Sequence, residues 1–137
     1  MDCVFCKIAA GQLPAHTLYE DERVLAFLDI QPGCEGHSLV IPKAHAENFF
    51  TLEDADRDAV FAAARRVAEA LVAETGAEGL NLHQSNGAAA GQVVFHFHLH
   101  LLPRRPGDGL RGPWTPAQAA PEALAGLAAR VASRLAR

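Results

Sequence analysis

From Gln92 to Leu102 the chain reads Gln-Val-Val-Phe-His-Phe-His-Leu-His-Leu-Leu, which puts His96, His98 and His100 at alternate positions. Successive side chains of a strand point to opposite faces, so this spacing predicts a strand over 93–102. One of its faces carries Val93, Phe95, Phe97, Leu99 and Leu101, all apolar, and asks to be covered by a helix. The other carries the three histidines between Val94 and Leu102. Three imidazoles in register on so apolar a strand are a poor match to an ordinary solvated sheet face. An expression tag is excluded, because the run is internal and interrupted by core-forming residues. The chain must therefore build a sheet with one dry face and one face that does chemistry.

The other elements fit such a sheet. Residues 17–20 and 23–29 read as a hairpin around Asp21 and Glu22, and 37–42 as a strand ended by Pro42. Thr51 with Asp54 resembles an N-terminal helix cap; Val60, Ala64, Val67 and Leu71 then recur at helical spacing up to a stop at Gly76. Residues 79–84 form a strand candidate, and 85–91 a loop of small residues. After Pro103 comes a loop rich in Pro, Gly and Arg. A final helix from about Pro121 aligns Leu124, Leu127, Val131 and Leu135, with Arg130, Arg134 and Arg137 off that stripe, suited to the helix dipole. Strands that neighbour one another in sequence point to an α+β fold with an antiparallel sheet. The length of 137 residues suits a single domain over 1–137.

Composition removes several function classes. Half of the residues are hydrophobic and a fifth charged, with a formal net charge of −4 and no basic patch, so a nucleic-acid polymer is a poor partner. No apolar run approaches the ~18 residues that span a bilayer, so no membrane association is expected. The N-terminus lacks the pattern of a signal peptide. Three cysteines, two of them close together, do not form a disulfide framework, and a cytoplasmic location is the expectation.

The histidines cannot all share one ion. Four residues of strand span roughly 13 Å, whereas a zinc–nitrogen bond is about 2 Å, so the two ends of the run must have different tasks. Cys3 and Cys6 form a C-x-x-C pair, which suits zinc, redox chemistry or simple burial. If these cysteines and His45 meet one end of the run, His96 completes a closed Cys2His2 site of structural type. His98 and His100 are then left for catalysis. A neutral imidazole is a good nucleophile near pH 7, and attack on phosphorus would give a phosphoramidate that water hydrolyses. The loop before the strand, ending in Gly91-Gln92, could offer backbone amides to phosphate oxygens.

At this point the chain resembles the histidine triad (HIT) superfamily, whose H-x-H-x-H-x-x motif stands here as His96-Phe-His98-Leu-His100-Leu-Leu. The resemblance extends through CVFCKI, YEDERVLAFLDIQP, GHSLVIPKAH and NGAAAGQVVFHFHLHLLPR, nearly the whole length, and is nearest to the bacterial zinc-containing members. It implies a five-stranded antiparallel sheet with two main helices, paired into a ten-stranded sheet in a homodimer. It also implies that His98 is the nucleophile, that His100 hydrogen-bonds phosphate or the leaving atom, and that His37 supports them from behind. Cys3, Cys6, His45 and His96 match the structural zinc ligands. Asp29 matches the acid that holds the ribose hydroxyls, with Phe5, Ile8, Leu25, Phe27 and Ile30 near the base. Gly91, Gln92 and the Val93 amide fall at the phosphates.

Two positions depart from the pattern. Val93 stands where relatives often carry a hydroxyl, and Ser85, with Asn86 beside it, stands where they often carry an amide directed at the phosphates. The implied activity is hydrolysis of nucleoside 5′-phosphoramidates or dinucleoside polyphosphates through a nucleotidyl-histidine, releasing a purine nucleoside monophosphate. The alternative is a non-catalytic nucleotide- and zinc-binding module that acts through a protein partner.

Overall fold

The computed structural model describes residues 3–110 and 118–136. Trp114 and Arg137 lie outside the described residues. The elements in chain order are α1 (Val4–Ala9), β1 (Thr17–Glu20), β2 (Val24–Leu28), β3 (Ser38–Pro42), α2 (Asp54–Thr75), β4 (Gly79–His83), β5 (Leu99–Arg104) and α3 (Pro121–Leu135). The strands form one antiparallel sheet in the order β1-β2-β3-β5-β4. The expected sheet and two main helices, α2 and α3, are present, and the short α1 is an addition the periodicity did not reveal.

Local chemistry explains the elements. Asp21 closes the β1–β2 hairpin: its Oδ1 accepts from the Arg23 and Val24 amides and its Oδ2 from the Tyr19 hydroxyl. Helix α2 ends at Gly76, which takes the left-handed conformation (φ 72°) that glycine adopts at low cost. Its N-cap is Glu53, not Thr51. The Thr51 hydroxyl is engaged with the backbone N–H and carbonyl of Asn48, in the turn before the helix. Arg130 and Arg134 do more than answer a helix dipole, since each places its Nε 2.7 Å from a carboxylate oxygen of Glu74 and ties α3 to α2.

Strands β2 and β3 are buried along their whole length because both sheet faces are covered. On one face Val24, Ala26, Leu28, Val40, Phe97, Leu99 and Leu101 pack with Val60, Val67 and Leu71 of α2 and Leu124, Leu127 and Val131 of α3. On the other, Leu25, Phe27, Leu39 and Ile41 pack with Cys3 and Phe5 at the start of α1. That second layer is thin, and the histidines share its face.

The histidine strand differs from expectation at both ends. β5 starts at Leu99 rather than Val93 and runs through Pro103 to Arg104. Extending the β3–β5 register from Val40↔Leu99 puts Phe97 opposite Pro42, which has no N–H to give, and Phe97 N–H bonds instead to the Ala46 carbonyl. The ladder therefore stops, although the in–out alternation survives from His96 onward. Upstream the alternation is lost: Val93 is 83% and Phe95 42% exposed. Pro103 is tolerated because β3 begins only at Ser38, opposite Leu101, leaving β5 with β4 alone as a partner there.

Candidate functional site

Two clusters of histidine chemistry lie on the α1 side of the sheet. The first joins Cys3, Cys6, His45 and His96, whose four ligand atoms all fall within 4.8 Å of one another. His45 Nδ1 and His96 Nδ1 are 3.3 Å apart; Cys3 Sγ lies 3.4 Å from His96 Nδ1, and Cys6 Sγ lies 3.3 Å from His45 Nδ1 and 3.5 Å from His96 Nδ1. A tetrahedron with bonds of about 2.0 Å to nitrogen and 2.3 Å to sulfur has N–N and N–S edges of roughly 3.3 and 3.5 Å. The cluster thus has the dimensions of a four-coordinate site. His96 is fully buried and its Nε2 lies 2.8 Å from the Pro42 carbonyl. A carbonyl only accepts, so Nε2 bears the proton and Nδ1 turns its lone pair into the cluster. Burial, followed by hydrogen bonding and repulsion from Cys3, raises the Cys6 thiol above its ordinary pKa; a bound cation would reverse that sign.

The second cluster is built by β5 and the end of β2. His98 and His100 line a cavity of about 430 Å³ with Phe5, Ile8, Phe27, Asp29 and Ile30 on one side and Ser85, Gly91, Gln92 and Val93 on another. His98 Nδ1 lies 2.7 Å from the His96 carbonyl. By the same argument it carries the proton, and the lone pair sits on Nε2. The Phe5 and His98 rings meet nearly perpendicular, with centroids 5.1 Å apart. Burial lowers the pKa of His98, with the His96 carbonyl and Asp29 opposing, so the ring is neutral at pH 7.

Behind these rings runs a chain of fixed tautomers. Gly33 N–H donates to His37 Nδ1 at 2.9 Å, so the proton of neutral His37 is on Nε2. That Nε2 is 2.8 Å from His100 Nδ1, which makes His100 Nδ1 the acceptor and puts its proton on Nε2. Burial pushes His37 down to about 4; burial and the neighbouring histidines push His100 down to about 3. Asp29, at the end of β2, accepts from Gln31 N–H and places Oδ2 3.6 Å from His37 Nε2. Burial raises its carboxyl above the usual range, partly offset by that amide.

These depressed histidines imply a pH dependence of stability. Their folded pKa values lie below the ~6.5 of an unfolded histidine, so the unfolded chain binds more protons as pH falls. The contribution is fully present above about 6.5 and is lost on descent toward about 4 and 3. A metal-free His37→Asn, His100→Gln variant should show a flatter fall of Tm between pH 7 and 4.5 than metal-free wild type; an equally steep fall would contradict the assignment.

The remaining residues singled out from the sequence fall as follows. Leu25 is buried in the layer beneath α1 and does not reach the cavity, and Asn86 stays off the wall, pairing with Gln84 and the Phe49 amide. The Gln92 side chain ties the loop to its surroundings, with Nε2 donating to the Glu47 and Val94 carbonyls and Oε1 accepting from Gly87 N–H. The Ala90, Gly91 and Gln92 amides also bond within the loop. Burial raises the Cys34 thiol to about 11, which leaves it unreactive. Sequence patterning overlooks His83, which also lines the cavity. It is a lone histidine at a strand end, and its neighbourhood depends on the β4–β5 register.

An antiparallel sheet with this histidine constellation and an adjoining Cys2His2 cluster defines a class of α+β proteins. Residues 10–107 match the model of the HIT domain, and the chain belongs to the HIT family. It is 46% identical to the Hit protein of Bacillus subtilis over 138 residues, covering 98% of this chain and 95% of that one. It is 37% identical to an adenosine 5′-monophosphoramidase of Schizosaccharomyces pombe over 136 residues, covering 98% and 99%. Among solved structures, a zinc-bound histidine triad family protein from Mycobacterium smegmatis superimposes with a TM-score of 0.85 at 38% identity, covering 99% of this chain and 94% of that one.

Proposed function

We propose that this chain is a hydrolase that transfers a nucleoside 5′-monophosphoryl group to water through His98. Its substrates are nucleoside 5′-phosphoramidates or dinucleoside polyphosphates, with a purine base. The observation that carries this reading is the locked His98 ring: Nδ1 is held by the His96 carbonyl, and the opposite edge lines a cavity with an apolar end. The likeness to a phosphoramidase along almost its whole length supports it.

The base sits against Phe5, Ile8 and Phe27, and Asp29 accepts hydrogen bonds from the ribose hydroxyls. The His98 Nε2 lone pair attacks the α-phosphorus, and the bond to the leaving group breaks with its electron pair on the departing atom; a phosphate departs as the anion, whereas an amine takes up a proton from water as it leaves. Water then attacks the phosphorus, the N–P pair returns to Nε2, and the water proton is released with the nucleoside monophosphate. His100 Nε2–H donates a hydrogen bond to the charge that develops in both steps. A quenched reaction, digested and weighed by mass spectrometry, should contain the nucleotidylated peptide bearing His98. Rapid turnover with that species absent under single-turnover conditions would remove the covalent mechanism.

We also assign zinc to the Cys3, Cys6, His45 and His96 cluster. Zinc held there would supply structural cross-linking, because four protein ligands leave no coordination position for water. The β4 edge, with exposed Leu82 beside exposed Phe61 of α2, is where two sheets would join in a homodimer. Light scattering should give twice 14.6 kDa for wild type and a shift toward monomer for Leu82→Glu; a wild-type monomer would dismiss the dimer.

A further inference from the structure

We propose that His83 and Ser85 form the leaving-group side of the site and select substrates whose α-phosphate is joined to an anion, either a phosphate chain or sulfate. This deepens the hydrolase reading above and rests on it. The placement follows from register. Phe27 is paired with Leu39, Leu39 with His100, and His100 with His83. Side chains of directly paired residues project from the same face, so these four form a row across β2, β3, β5 and β4. At about 4.8 Å per strand the row is roughly 14 Å long.

The two ends of the row differ in chemistry. Phe27 stands at the apolar end with Phe5, and Asp29 follows just past the end of that strand. His100 occupies the third place, with the His98 ring 5.0 Å from it. A nucleotide with its base over β2 and its α-phosphorus at His98 directs its remaining substituent over β4. There the His83 ring lies 5.6 Å from that of His100, and its Nε2 is 3.2 Å from Ser85 Oγ. Asp29 is the sole carboxylate on the cavity wall among the described residues, and it stands at the far, ribose end. The β4 side therefore offers an imidazole and a hydroxyl, with no negative charge to repel an anion and none to attract a protonated amine.

In the first step the His98 Nε2 lone pair forms the N–P bond while the bond from phosphorus to the bridging oxygen breaks. That oxygen leaves with the bonding pair as part of a phosphate or sulfate anion, which accepts hydrogen bonds from His83 and Ser85. No proton or redox partner is needed. Hydrogen bonds to charged groups are each worth about tenfold or more, and this one is made only to the anionic leaving group.

The test compares kcat/KM for diadenosine triphosphate, adenosine 5′-phosphosulfate and unsubstituted adenosine 5′-phosphoramidate, whose leaving group is neutral ammonia. His83→Leu should lower the first two by roughly tenfold or more and the third by less than about threefold. His83→Asn, which keeps a donor, should recover part of the loss, and Ser85→Ala should show the same selectivity more weakly. An equal loss on all three substrates, or none on any, overturns the assignment while leaving the hydrolase reading intact. If the wild type cleaves none of them, both fall. Circular dichroism and Tm confirm folding; should His83→Leu not fold, the other two variants carry the same criterion.

Discussion

A His98→Ala variant should bind adenosine monophosphate with near wild-type affinity and lose turnover by roughly 10⁴-fold or more, as removal of a covalent nucleophile does elsewhere. Affinity should survive because the base and ribose contacts lie at Phe5, Phe27 and Asp29, on other elements. Turnover should not, because no second ring can take the place of the first. His100 has its Nδ1 engaged with His37 and its proton on Nε2, so it presents a donor where a lone pair is required. His37 is buried behind it, and His83 stands on the leaving-group side, the wrong side for in-line attack. Calorimetry with the monophosphate and single-turnover kinetics with a phosphoramidate measure the two halves of this expectation. A variant that keeps even a tenth of the wild-type rate would show that the ring is not the nucleotide carrier. A binding module acting through a protein partner would behave the same with or without the ring.

Much of this site was legible because its signal is local. Period-two spacing in an extended segment placed His98 and His100 on one face without any knowledge of the fold, and ligand-to-metal distance alone separated His96 from His100. The Cys3–Cys6 pair, His45 and His96 come from three distant segments; spacing could pose their meeting as a condition, and only the folded chain brings it about. Four features escaped because they depend on tertiary partners. The ladder breaks before Leu99 because Pro42 lies opposite Phe97, a clash that neither segment shows by itself. Leu25 and Phe27 point the same way from β2 and look equivalent in sequence, yet the cavity reaches only Phe27. Gln92, set beside a glycine-rich loop, resembled a phosphate ligand, but its amide is consumed by the Glu47 and Val94 carbonyls and the Gly87 N–H. His83 is the clearest case, for its role rests on a strand register that no local pattern encodes.

Stripping zinc with a chelator, or replacing Cys6 by serine, should lower Tm by roughly 10 °C or more while reducing kcat by less than tenfold. The stability effect is large because the layer on this face of the sheet is thin: Cys3, Phe5, Leu25, Phe27, Leu39 and Ile41 make up its buried core, and α1 has only six residues. A six-residue helix has little stability of its own, so a metal that binds Cys3 and Cys6 to His45 and His96 anchors it. A loss of about 3 kcal/mol, well under what structural zinc contributes in small domains, corresponds to about 10 °C for a chain of this size. The kinetic effect should be smaller because none of the four ligands lines the cavity. It should not be zero. His96 presents its ring to the Cys2His2 cluster and its carbonyl to His98 Nδ1, so an ion held there would steady the peptide that sets the nucleophile's tautomer. Metal analysis of wild type should find about one zinc per chain. Complete loss of rate in a metal-free protein that retains its fold and its affinity for the monophosphate would mean that the ion takes part in the chemistry and that the closed site has been misread.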